Sequence, residues 1–130
     1  MDNKTKVLIV DDDHDVLELL KDLFTKKGYE VECVNSGLEA LDFTDKASVD
    51  AILLDIKMPE LDGIETLGRL KKKKPELPVV ILTAYGYDDN FINKALELGA
   101  AGYISKNLPL NQIVYAFQTL LAAEQKKREG

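Results

Sequence analysis

The sequence predicts an α/β protein built on a doubly wound, five-stranded parallel sheet with helices on both faces. Three observations carry that prediction. Short apolar runs alternate with longer segments whose apolar residues recur at helical spacing. The runs Val7-Leu8-Ile9-Val10, Ile52-Leu53-Leu54 and Val79-Val80-Ile81-Leu82 are apolar throughout, as strands covered on both faces are. The links between segments are short, which for strand–helix repeats implies parallel strands and right-handed crossovers.

Each element has its own signal. After Val7–Val10 comes Asp11-Asp12-Asp13, and Asp13 is placed to cap a helix with Val16, Leu17, Leu20, Leu23 and Phe24 on its inner face. Gly28 follows the end of that helix. Tyr29–Val34 alternates like a strand exposed on one side, near a sheet edge. Ser36-Gly37-Leu38-Glu39 has the form of a capping box and opens a second helix through about Ala47.

The central run Ala51–Leu54 ends abruptly on Asp55, and Pro59 bars regular continuation. Asp62-Gly63 leads into a third helix with Ile64, Leu67 and Leu70 inward; Lys71–Lys74 ends it and Pro75 follows. That lysine run complements the helix dipole and solvates the surface. Val79–Leu82 ends on Thr83-Ala84, and a fourth helix carries Ile92, Ala95 and Leu96 inward before Gly99. Gly102–Ser105 is a short fifth strand followed by Lys106, and the last helix shows Leu110, Ile113, Val114, Phe117 and Leu121 at helical spacing. Residues 1–123 read as one domain, and 124–130 as a polar tail or the start of a linker.

Composition narrows the function. At 130 residues the chain has length for one domain with a real core. A net charge of −6 argues against nucleic-acid binding, and no run approaches membrane-spanning length. Met1–Lys6 lacks the apolar core of a signal peptide. The single Cys33 forms no internal disulfide, consistent with a reducing, cytoplasmic setting, and reads as a small buried hydrophobe.

The polar residues at the strand ends converge. Asp55 alone admits two readings, a turn-starting carboxylate or a ligand. But parallel strands put Asp11, Asp12, Asp55, Thr83 and Lys106 on the same sheet edge, where open α/β sheets bind ligands. Clustered carboxylates need a cation between them. Oxygen donors favour Mg²⁺, with Mn²⁺ or Ca²⁺ as substitutes, over zinc. Lys106 and Thr83 suit an incoming phosphate, and Asp55 is the candidate nucleophile, giving an aspartyl phosphate. His14 reads as an exposed first-turn residue rather than a ligand.

Val10-Asp11-Asp12-Asp13, Leu54-Asp55-Ile56-Lys57-Met58-Pro59 with Asp62-Gly63, Leu82-Thr83-Ala84 and Gly102-Tyr103-Ile104-Ser105-Lys106 together resemble the receiver domains of bacterial two-component response regulators. The resemblance runs in order over nearly the whole chain. It implies a CheY-like, flavodoxin-like three-layer sandwich with strand order 2-1-3-4-5. It implies that Asp55 accepts a phosphoryl group from a phosphohistidine of a sensor histidine kinase or phosphotransfer protein. Mg²⁺ would be held by Asp11, Asp12, Asp55 and the backbone carbonyl of Lys57, and Lys106 would contact the phosphoryl oxygens. Thr83 and Tyr103 would act as the switch, altering the surface of the fourth helix, fifth strand and fifth helix toward an effector domain or a homodimer. From the residues alone Tyr103 reads equally as a half-buried strand aromatic.

Departures from the family pattern sharpen the expectations. Asn107 stands where the family carries proline, often with a cis bond; before a non-proline residue that bond costs about 2.5–4 kcal/mol, which leaves the isomer open. Lys57 and Tyr85 occupy positions that tune phosphate loss in the family, and pairing by Lys57 with shielding by Tyr85 would give a long-lived phosphoprotein. Two solvent-exposed side chains without kinetic effect is the competing reading. A haloacid-dehalogenase-like phosphohydrolase needs a second acid two residues after the nucleophile, where Lys57 stands. An FMN site would be repelled by Asp11-Asp12-Asp13. A pseudo-receiver that is never phosphorylated is the remaining alternative.

Overall fold

The computed structural model describes residues 4–56, 63–83 and 89–129. Its elements run β1 (Lys6–Val10), α1 (His14–Lys26), β2 (Glu30–Val34), α2 (Gly37–Lys46), β3 (Ala51–Asp55), α3 (Gly63–Lys73), β4 (Val79–Thr83), α4 (Asp89–Glu97), β5 (Gly102–Ser105) and α5 (Leu110–Glu129). The strands form one parallel sheet in the order β2-β1-β3-β4-β5. The order reverses between β1 and β3, which opens a crevice at their carboxyl ends.

Alternation along each strand divides the apolar residues between two cores. Val7, Ile9, Leu53, Val80, Leu82 and Ile104 meet Leu17, Leu20 and Phe24 of α1 and Ile113, Val114, Phe117 and Leu121 of α5. Leu8, Val10, Ile52, Leu54, Val79 and Ile81 meet Ala40 of α2, Leu67 and Leu70 of α3, and Ala95 of α4. The strands at the middle of the sheet, β1, β3 and β4, are therefore buried on both faces, which is why they read as continuous apolar runs. β2, at the edge, shows the expected exposed Glu30 and Glu32.

The punctuation acts as expected. Asp13 caps α1, its side chain accepting from Asp15 N at 3.0 Å and Val16 N at 3.3 Å. Ser36 Oγ accepts from Glu39 N at 3.1 Å, and Glu39 reaches back to Asn35 N at 2.9 Å. Gly28 and Gly99, with φ of 98° and 106°, turn the chain out of α1 and α4.

Two expectations change. Leu96 does not face inward: it is 42% exposed, and Ala95, with half-buried Leu98 just past the helix, packs in its place. Leu96 falls outside the narrow face that this nine-residue helix buries through Ala95. The lysine run is more than a solvated end. Lys71 Nζ donates to Pro75 O at 2.7 Å and Leu77 O at 2.9 Å, Lys74 Nζ donates to Thr44 O at 2.7 Å, and Lys73 pairs with Asp45. These contacts tie α3 to the β4 approach and to α2. The last helix, α5, runs to Glu129.

Candidate functional site

β1, β3, β4 and β5 deliver their last residues to one sheet edge. Asp11 N–H continues the ladder to Val34 O at 3.2 Å, and Ile56 N–H to Leu82 O at 3.0 Å. Lys106 N–H donates to Thr83 O at 2.7 Å, so the β4–β5 ladder runs to the lysine itself. The backbone thus fixes each functional side chain at its root.

Asp11 is 0% exposed, Asp55 1% and Thr83 6%, whereas Asp12 is exposed. Carboxylate oxygens of Asp11, Asp12 and Asp55 all lie within 4.8 Å of one another. Lys106 Nζ stands between two of them, 2.9 Å from Asp11 Oδ2 and 3.0 Å from Asp55 Oδ2. Burial alone would lower the pKa of this ammonium. The ion pairs with Asp11 and Asp55 outweigh that and raise it, so the lysine is held charged.

The contact with Asp55 is a hydrogen bond. The contact with Asp11 is close enough for an ion pair but lacks hydrogen-bond alignment, and Asp11 Oδ2 is a buried oxygen left without a hydrogen-bond partner. A buried carboxylate oxygen with an unfilled lone pair, facing two further acids and no His or Cys, suits a hard divalent cation. The residues present therefore fit Mg²⁺.

Thr83 Oγ1 lies 3.5 Å from Ile104 O, a long contact that leaves the hydroxyl weakly held. Alternation from Ile81, in the core under α3 and α4, places Thr83 on that face of the sheet, while Asp55 follows Leu53 toward α1 and α5. Tyr103, beside Ile81 in register, shares Thr83's face and is 51% exposed. His14 is an exposed residue at the start of α1, as expected. Lys106–Asn107 is a trans peptide, and Asn107 N–H donates to Ser105 Oγ at 3.1 Å. Lys57, Met58, Pro59, Asp62, Ala84 and Tyr85 lie outside the described residues.

One contributor was missed. Asp13 not only caps α1; its own N–H donates to Asp11 Oδ1 at 3.0 Å. That bond pins one oxygen of Asp11 and presents the other to the pocket. The signal was the Asp-x-x spacing, since an Asp side chain readily bonds the backbone two residues on.

The fold and site define an α/β domain with an acidic, lysine-bridged pocket at the carboxyl edge of its sheet. Residues 7–118 match the response regulator receiver domain, and the chain belongs to that family of two-component signalling proteins. It is 42% identical over 108 residues to sporulation initiation phosphotransferase F of Bacillus subtilis, covering 83% of this chain and 86% of that protein. It is 34% identical over 124 residues to the regulatory protein AtoC of Escherichia coli, covering 95% of this chain but 27% of that one. A CheY-like receiver domain protein from Methanospirillum hungatei superposes with a TM-score of 0.87 at 29% identity, over 96% of this chain and 99% of that one. Among the described residues no helix is long and apolar enough to cross a membrane.

Proposed function

We propose that this chain is a phosphoacceptor switch in which Asp55 takes a phosphoryl group from a phosphohistidine of a sensor histidine kinase or phosphotransfer protein. The observation that carries the reading is the position of Lys106, bridging Asp11 at 2.9 Å and Asp55 at 3.0 Å beside Asp12. An Asp55 carboxylate oxygen attacks phosphorus. The bond from phosphorus to the donor nitrogen breaks, and its electron pair leaves with the imidazole, leaving an aspartyl phosphate. Lys106, already at Asp55, pairs with the phosphoryl oxygens. Asp11, Asp12, Asp55 and the Lys57 carbonyl would hold Mg²⁺, which when bound supplies positive charge against the carboxylate and phosphoryl oxygens.

Thr83 is the hydroxyl that follows the phosphate, and Tyr103 turns inward behind it. Both lie on the α4 side of the sheet, where a change at the edge can be felt by α4, β5 and α5. These elements and the turn between β5 and α5 carry exposed Phe91, Leu96, Tyr103, Leu108 and Tyr115, apolar surface suited to an effector domain or a second copy. Residues 1–123 form the receiver and 124–130 lead out of it, in a cytoplasmic protein. The name of the Bacillus relative, a phosphotransferase, supports the phosphoryl-transfer chemistry.

The test is intact-mass measurement after incubation with Mg²⁺ and phosphoramidate. One phosphoryl group should be gained, and none without Mg²⁺ or in Asp55→Asn. No gain with any donor would instead favour an interaction module that is never phosphorylated.

A further inference from the structure

We propose that the protein carries a second ligand site at the amino edge of its sheet, that this site takes a small organic acid by its carboxylate, and that occupancy is passed to α4. The edge holds a cavity of about 790 Å³, within the size range of small-molecule sites. Four segments build it: the approaches to β1 and β3, the α3–β4 turn and the far part of α5. Asp50, just before β3, lines it, so the cavity lies a full strand length from Asp55 at the other end of β3.

The lining divides by chemistry. Buried Leu77 and Pro78, with half-buried Val49, give the cavity an apolar part. Lys74 and Lys4 supply two ammonium groups. Lys74 is half-buried, and its Nζ donates to Thr44 O at 2.7 Å, which uses one of three donors and leaves two for a ligand. Lys4 is exposed and has no partner among the described residues. The two acids of the lining are already engaged: Asp50 Oδ2 accepts the Lys6 N–H at 2.8 Å, and Glu76 has a partner of its own. An anion thus meets unused donors, whereas a cation meets carboxylates in use. The apolar part favours an acid with a carbon body over a bare inorganic anion.

Lys71 joins the cavity to α4. Its Nζ donates to Pro75 O at 2.7 Å and Leu77 O at 2.9 Å, the carbonyls of two lining residues. Its stem runs against the turn that ends α4, where a Cβ on Gly99 would lie 3.0 Å from Lys71 Cε. A ligand that shifts the α3–β4 turn therefore shifts the lysine against which α4 ends.

The test is titration of 4-(trifluoromethyl)benzoate into the unphosphorylated full chain, followed by fluorine and amide NMR. No Mg²⁺ or phosphodonor is present, so the outcome does not depend on the chemistry at Asp55. An acid of this size should bind with a Kd on the order of 1 mM. Amides of Thr5, Asp50, Glu76 and Leu77 should shift with one midpoint, those of Ala95, Leu98 and Gly99 should follow it, and those of Asp11 and Lys106 should stay still. Lys4→Met should weaken binding about 2–5-fold and Lys74→Met about tenfold, while Lys126→Met, on α5 outside the lining, should change nothing. The neutral 4-(trifluoromethyl)benzamide should bind about tenfold more weakly than the acid. If loss of the Thr44 bond unfolds Lys74→Met, exposed Lys4 and the benzamide still decide. Shifts without saturation, equal weakening in Lys126→Met, or a benzamide that binds as well as the benzoate would overturn the site. Amides of α4 unmoved at saturation would overturn its passage to that helix.

Discussion

Gly63 is the residue on which the geometry just beyond Asp55 depends. A Cβ at Gly63 would lie 2.3 Å from Ile56 Cα, 2.6 Å from Ile56 O and 2.8 Å from Ile56 C. All three atoms are backbone, so no rotamer change relieves the clash. Gly63 N–H also donates to Ile56 O at 2.9 Å, which holds the two segments together. In Gly63→Ala the start of α3 and the end of β3 must part by about an ångström to reach ordinary contact. Overpacking of this kind costs about 1–3 kcal/mol, and backbone on both sides argues for the upper end. The better helix propensity of alanine returns up to about 1 kcal/mol. The expected net loss is about 2 kcal/mol, or about 6–10 °C in melting temperature. Gly68→Ala on the same helix is the control: its Cβ would meet nothing nearer than Leu98 Cδ1 at 3.9 Å, so it should gain about 0.5–1 kcal/mol. Urea unfolding without Mg²⁺, with unchanged m-values, reads both. A Gly63→Ala protein as stable as wild type would refute the reasoning.

Three further outcomes are expected. Lys71→Ala should cost about 1–2 kcal/mol in urea unfolding, because it removes bonds to Pro75 O and Leu77 O, while Lys72→Ala should stay within about 0.5 kcal/mol; equal costs would restore a purely solvating role. Burial raises the Cys33 thiol pKa, with Lys21 lowering it and Glu32 raising it, so the fold prefers the neutral thiol. Its contribution is whole below the ordinary thiol value of 9.0 and is lost as pH rises through the raised value, so wild type should lose more stability than Cys33→Ala between pH 8 and 10.5; parallel curves would contradict this. In hydrogen exchange, amides of α4, which buries Ala95 and leaves Phe91 and Leu96 exposed, should exchange sooner than those of α5 between Leu110 and Leu121; equal protection would be against it.

Much of this was legible because the physical signals were local. β1, β3 and β4 are covered on both faces and so are apolar at every position, and β2 betrays its edge by alternating. Once the strands were known to be parallel, the residue ending each had to lie on one edge, which located Asp11, Asp55, Thr83 and Lys106 without coordinates. The strand order was not legible in that way, since short right-handed crossovers are compatible with several orders; it came from the family resemblance. Leu96 misled because helical periodicity defines a face but not how wide a face the neighbours cover. Lys74 reaches Thr44 O from 30 residues away, and nothing in a lysine run marks such a destination. The bond from Asp13 N–H to Asp11 Oδ1 lay within reach of sequence reasoning, but the capping role of the Asp13 side chain had absorbed the residue.

The alternation that built the two cores also divides the site. Asp55 follows Leu53 on the α1 and α5 side of the sheet, and Thr83 follows Ile81 on the α3 and α4 side. Lys106 is joined to both halves, by its ammonium to Asp55 at 3.0 Å and by its N–H to Thr83 O at 2.7 Å. On the proposed phosphorylation, a charge arriving at Asp55 would act across the sheet edge: on the acid side it would meet a lysine, and on the other a hydroxyl whose 3.5 Å contact with Ile104 O is weak enough to be exchanged. Strand ends buried on both faces yield little, whereas α4 rests on Ala95 and exposed Tyr103 stands beside Ile81 on the same face. Under the proposed function, a pull on Thr83 would thus be taken up where the packing is lightest, so that chemistry at the rigid edge would be read out on α4 and β5 rather than lost in the core.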